Sequence, residues 1–164
     1  MNPGIHTKRL IFYWTTSFIL ATAGYYILRF IMPDHYVFGL LYRMFLYHWE
    51  HPVMFILIPC FFYGIIATLL SGSFAKQGMT GQILLTILII LVTVLLSSPA
   101  GGMLWHYYDM KAGWFPEYWF TKMVKYGTSW GLETGWYIIA LSIPYNISGS
   151  VICYFLTRKG SHIG

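Results

Sequence analysis

Four stretches of this chain are too apolar and too long to stay in water. Leu10–Met32, Val53–Leu70, Gln82–Ser98 and Leu132–Leu156 each run about 17 to 25 residues, the length a helix needs to cross a hydrocarbon core. Among all their residues only Arg29 and Glu133 carry charge, and both sit near the end of a stretch. A chain patterned this way is expected to form an all-α integral membrane protein. The expected fold is a four-helix transmembrane bundle in a single domain over residues 1–164, with one or two interfacial helices on the outer face.

Bulk composition agrees. Charged residues make up 9% of the chain, against about 25% in soluble domains, so a water-soluble fold would lack polar surface to cover itself. The net charge of +5 does not point to nucleic acid, because the basic residues flank the apolar runs and form no dense block. They suit anionic lipid head groups instead. The expected partners are the lipid bilayer and another membrane protein. Cys60 and Cys153 both fall inside apolar runs, which favours small buried thiols over a disulfide framework.

Lys8-Arg9 followed by an apolar run and Ala21-Thr22-Ala23 has the outline of a cleavable signal peptide. The run continues through Tyr25, Tyr26, Ile27 and Leu28, so an uncleaved first helix is expected. With the N-terminus in the cytoplasm, four crossings return the C-terminus to the same side. Lys8, Arg9, Lys76, Arg158 and Lys159 then lie inside with no acid among them. Arg29, Arg43, Lys111, Lys122 and Lys125 lie outside with all five acids, Asp34, Glu50, Asp109, Glu117 and Glu133. Basic residues are tied between the sides; the compact inner segments, with cations at the span ends, tip the expectation to N-in, C-in in a plasma (inner) membrane.

Between the runs the patterning changes. Asp34 can cap a helix starting at His35, with Val37, Phe38, Leu41, Met44 and Phe45 on one face, either as an interfacial helix feeding Pro52 or as part of one longer second helix. Pro99-Ala100-Gly101-Gly102 reads as a break. Beyond it, Glu117–Tyr126 has the outline of a second interfacial helix, with Trp119, Phe120 and Met123 toward lipid and Lys122 and Lys125 toward head groups. Ser71–Gly81 reads as a turn.

Chemistry could come from His48, Glu50 and His51 before the second run and from His106 and Asp109 after the third. His48 and His51, and again His106 and Asp109, are three apart and share a helix face. Converging, they would suit a divalent metal such as zinc, or acid–base work. The order HWEH is not the HExxH of a metalloprotease, and the simpler reading is polar tips in the head-group layer. Glu133 is costly in hydrocarbon and is expected to face protein or water, most simply paired with Arg29. In a water-filled pocket it would be a candidate proton carrier.

Gly127, Gly131 and Gly135, four apart, form a stripe that lets two helix backbones approach closely. A contact within the chain is expected in preference to one between subunits. Pro59, Pro144, Asn146, Ser148 and Ser150 add kinks and interhelical polar groups.

Three functions compete. The first is a non-enzymatic accessory, regulatory or immunity-type partner of another membrane component, recognised through Trp105, Trp114 and Trp119. The second is a small membrane enzyme acting on a lipid or lipid-linked substrate through the His/acid cluster. The third is a small proton-coupled transporter with a polar path from Glu133 to Asn146.

Overall fold

A computed structural model describes residues 3–31, 51–114, 119–141 and 143–163. Those residues form five helices and no strand: α1 (Pro3–Ile31), α2 (Pro52–Lys76), α3 (Met79–Lys111), α4 (Trp119–Leu141) and α5 (Ile143–Ser161). Helices are the natural outcome, because a chain without water must satisfy every backbone donor and acceptor internally. Three of them are long and apolar enough to cross a membrane: Gly4–Ile27 within α1, Pro52–Lys76 and Met79–Lys111. The fourth apolar run, 132–156, is covered by the end of α4 and most of α5. Position 142 between them lies outside the described residues, as does the whole of 32–50, where the first interfacial helix was expected.

The helices run further than hydropathy alone suggests. α2 opens with Pro52 in its first turn, where a missing N–H costs nothing, and continues to Lys76. The turn expected over Ser71–Gly81 shrinks to Gln77 and Gly78, with the Gln77 N–H donating to the Phe74 carbonyl at 3.2 Å.

The break expected at Pro99–Gly102 is overturned: α3 passes through it without interruption. Proline removes a single ladder bond, and Gly102, which would weaken a solvated helix, is held here by a close neighbour, α4. α3 ends at a glycine. Gly113, at φ 88°, takes the left-handed position. The Trp114 N–H reaches back to the Asp109 carbonyl at 3.0 Å and the Gly113 N–H to Met110 at 2.9 Å.

The second interfacial helix is likewise overturned as a separate element. Trp119 to Leu141 is one helix, so Lys122 and Lys125 share a rod with Glu133. The Trp119 side chain lies outside the described part.

Packing divides the molecule into two ends. α1 packs on α2, α2 on α3, and α5 lies against α1, α2 and α3; the most extensive interface is α3 with α4, while α4 and α5 barely touch. One core joins Tyr13, Tyr63, Ile66, Ala67, Ile89 and Leu156; a second joins Tyr25, Ile56 and Cys60, with Trp14 and Phe18 against them. Gly64 lets α1 close on α2, since a Cβ there would stand 3.2 Å from that of Trp14. Cys60 and Cys153 are both free thiols.

Arg9 donates to the Ile163 carbonyl at 2.8 Å, the Ser161 carbonyl at 3.0 Å and the Ser71 hydroxyl at 3.0 Å. The start of α1 and the end of α5 therefore meet at one end of the bundle, the termini end.

Candidate functional site

At the opposite, far end, α4 lies against α3 with almost no side chain between them. A Cβ on Gly127 would stand 2.8 Å from the Met103 Cα, and one on Gly102 would run into the Gly127 carbonyl. A Cβ on Gly131 would collide with the Ser98 carbonyl, and one on Gly135 with the Ser98 hydroxyl. The surface that receives the stripe Gly127, Gly131, Gly135 is thus Ser98–Met103 of α3, the segment whose small residues looked like a break. Van der Waals contact between backbones holds such a pair, since lipid supplies no hydrophobic drive.

A helix turns 100° per residue, so the side chains of Lys122, Tyr126, Ser129 and Glu133 point roughly opposite to that stripe. Together with Trp130 and His106 they line a cleft of about 510 Å³. Within that lining Trp130 packs edge-on against Trp105 with ring centroids 4.4 Å apart and lies 6.2 Å from the His106 ring. His106 Nδ1 is 3.9 Å from a carboxylate oxygen of Asp109, one turn on. Lys125 lies 5.7 Å from the centre of the Tyr126 ring. Glu133 is exposed, as are Phe120, Val124, Tyr126 and Leu132 around it.

The histidine pairs do not share a cavity. His51 stacks on Tyr108 with centroids 4.2 Å apart and planes at 15°, beside Phe55 of α2. Tyr108 is two residues, about 200°, around α3 from His106. One flank of α3 therefore carries His51 toward α2, and the other carries His106 and Asp109 toward α4. Among the described residues no three His, Cys, Asp or Glu side chains gather as a metal could use them. His48, Glu50 and Glu117 lie outside the described residues.

Arg29 and Glu133 sit on helices that share no extensive interface, because α1 packs on α2 and α5 while α4 packs on α3. The Arg29 and Asn146 side chains lie outside the described part. Of the three tryptophans expected to form a recognition surface, Trp105 is used against Trp130 and Trp114 is largely exposed just past α3.

Sequence reasoning missed the polar knot at the termini end. The Tyr13 hydroxyl donates to the Thr157 carbonyl at 3.1 Å, the Tyr63 hydroxyl is 3.0 Å from the Thr157 hydroxyl, and Tyr63 also reaches the Cys153 carbonyl at 3.3 Å. Gly160 leaves room for the Tyr13 ring. Its partners are up to about 150 residues apart in sequence, so no local spacing could have announced it.

No protein-family model, curated protein or solved structure matches this chain. What fold and site define is a class: an all-helical, membrane-embedded protein whose described helices close tightly at the termini end and open a largely apolar cleft, edged by Lys122 and Glu133, at the far end.

Proposed function

We propose that this is a multi-pass plasma-membrane protein, with both termini cytoplasmic, that acts as an accessory or regulatory partner by binding another membrane protein through the outward face of α4. The fourth crossing of a four-helix bundle is formed in this reading by α4 and α5 together. The orientation follows from Lys8, Arg9, Lys76, Arg158 and Lys159, which gather without an acid at the termini end.

One observation carries the function. Glu133 is exposed on the face of α4 turned away from its own bundle, at the level of Ser98. Ser98 is ten residues, about 15 Å, along α3 from the Tyr108 ring beside the start of α2. Acids near the end of an apolar run ordinarily face protein or water, so an exposed one there suits a polar neighbour on another membrane protein.

The enzyme reading draws less support, since His51 and His106 lie on opposite flanks of α3. The transport reading needs a polar route toward the termini, where Tyr13, Tyr63, Ile89 and Leu156 pack closely and the tyrosine hydroxyls are bonded within the protein.

A photocrosslinking amino acid at Tyr126 tests the proposal in cells, with Leu69, which is 71% exposed on α2, as the control position. A discrete protein adduct at position 126 and none at 69 is expected. Lipid adducts alone at both positions would overturn it.

A further inference from the structure

We infer that the termini end holds an anionic phospholipid, its phosphate bound by Arg158 and Lys159 in the last turn of α5 and its acyl chain lying along an apolar stripe of the same helix. The site stands apart from the face of α4 and needs only that the chain is embedded in a membrane. Two observations build it. The first is charge. Lys8, Lys76, Arg158 and Lys159 are all exposed at this end, and among the described residues none has a carboxylate partner. The described acids are remote. Asp109 is thirty residues, about 45 Å, along α3 from Met79, and Glu133 stands at the level of Ser98, about 28 Å from Met79. Arg9 gathers the cation-bearing helix ends: it follows Lys8 in α1 and donates to Ser71 of α2, Ser161 of α5 and Ile163 just beyond it. The helix dipole favours cations in a last turn, which suits Lys76, Arg158 and Lys159 but leaves Lys8, near the start of α1, unexplained.

The second observation is the surface of α5. Ile147, Val151 and Phe155 are exposed at intervals of four, so they share one face of the helix. Arg158 and Lys159 follow three and four residues after Phe155 and end that same face. The stripe runs about 12 Å along the helix before the cations begin. An apolar strip with cations at one end has the outline of a phospholipid: an acyl chain covers the strip, and the phosphate meets the cations. Arginine adds paired N–H donors that match two phosphate oxygens. Head groups belong at this end of the bundle. α2 and α3 are each long and apolar enough to cross a membrane, and only Gln77 and Gly78 join them, so with both crossing the turn lies at a membrane face. Charge then chooses among lipids. A zwitterionic head group brings its own ammonium among these cations, whereas an anionic one does not. A water-soluble phosphate would meet the cations and leave the strip uncovered.

The test uses the full chain, delipidated in a neutral detergent, with phosphatidylglycerol and phosphatidylcholine of identical acyl chains as probes. Native mass spectrometry counts the lipid retained. Phosphatidylglycerol is expected to bind about tenfold more tightly, or better, since each cation beside an anionic head group contributes on that order. Changing Arg158→Gln and Lys159→Gln together should bring the two lipids within about twofold of each other. Lys111→Gln with Lys125→Gln removes the same charge at the far end and should keep the preference. Unchanged melting of both double variants is the folding control. Raised ammonium acetate should weaken the preference of the unaltered chain, which reads the same contact without any substitution. Equal binding of the two lipids, or a preference insensitive to salt, overturns the inference. So does a preference that survives the change at Arg158 and Lys159, or that falls equally with the change at Lys111 and Lys125. Displacement of bound phosphatidylglycerol by an equal concentration of soluble glycerol phosphate also overturns it, by marking a phosphate site that does not need a lipid.

Discussion

Arg9, Tyr13 and Tyr63 at the termini end all turn their polar atoms into carbonyls or hydroxyls of other helices. At the far end Lys122, Tyr126, Ser129 and Glu133 line an open cleft instead. Both ends are rich in polar and aromatic residues, so composition does not separate them. What separates them is how the described helices meet there. At the termini end α5 meets α1, whose Arg9 caps its last carbonyls. At the far end α4 turns its glycines inward and its polar groups outward. A buried polar network whose members are bonded to one another stiffens a fold, whereas polar groups that line an open cleft stay accessible from outside the bundle.

The comparison breaks most visibly if the helix pair that orients the cleft is pried apart. Gly131→Ile places a branched side chain onto the Ser98 carbonyl, where backbone leaves no room to yield. A loss of about 3 kcal/mol or more is expected, read as a lower melting temperature in detergent and loss of a monodisperse peak. Gly24→Ala, with nothing within 4 Å of its new methyl, is the matched control and should be neutral or gain a few tenths of a kcal/mol, roughly, by restricting the unfolded chain.

Arg9→Ala comes next. It removes three donors at once and leaves the Ser161 and Ile163 carbonyls uncapped, for an expected cost of about 2 kcal/mol. Limited proteolysis should show the segment after Leu156 cleaved faster, with the far end unaffected. Tyr63→Phe keeps the ring and deletes one hydroxyl, so about 1 kcal/mol is expected, measured by steric trapping or thermal melting.

The smallest effect sharpens the contrast. Glu133→Gln should leave stability within about 0.5 kcal/mol, because the far-end face does not hold the bundle together. A loss as large as that of Arg9→Ala would mean that the two ends are built alike.

Particular residues show where sequence reading succeeds. α1, α2 and α3 are visible because their apolar runs are long and uncharged, and length against bilayer thickness is a one-dimensional property. The glycines at 127, 131 and 135 are visible as a helix face for the same reason: 3.6 residues per turn is fixed before any folding occurs. Pro99–Gly102 misleads because the same small residues serve a turn in water and a close helix contact in lipid, and only the neighbour decides. His51 and His106 look alike on paper, yet two residues of helical rotation at Tyr108 send them to opposite flanks. Arg9 carries no local signal at all, since its acceptors lie at Ser71, Ser161 and Ile163.

The sequence by itself determined that this chain hides its amides in helices and marked four apolar runs, of which the three in α1, α2 and α3 are helices long and apolar enough to cross a membrane, because hydropathy and backbone hydrogen bonding act locally. The tertiary structure alone decided which polar groups are sealed and which are displayed. That choice depends on which helix lies beside which, and so on contacts between residues far apart along the chain.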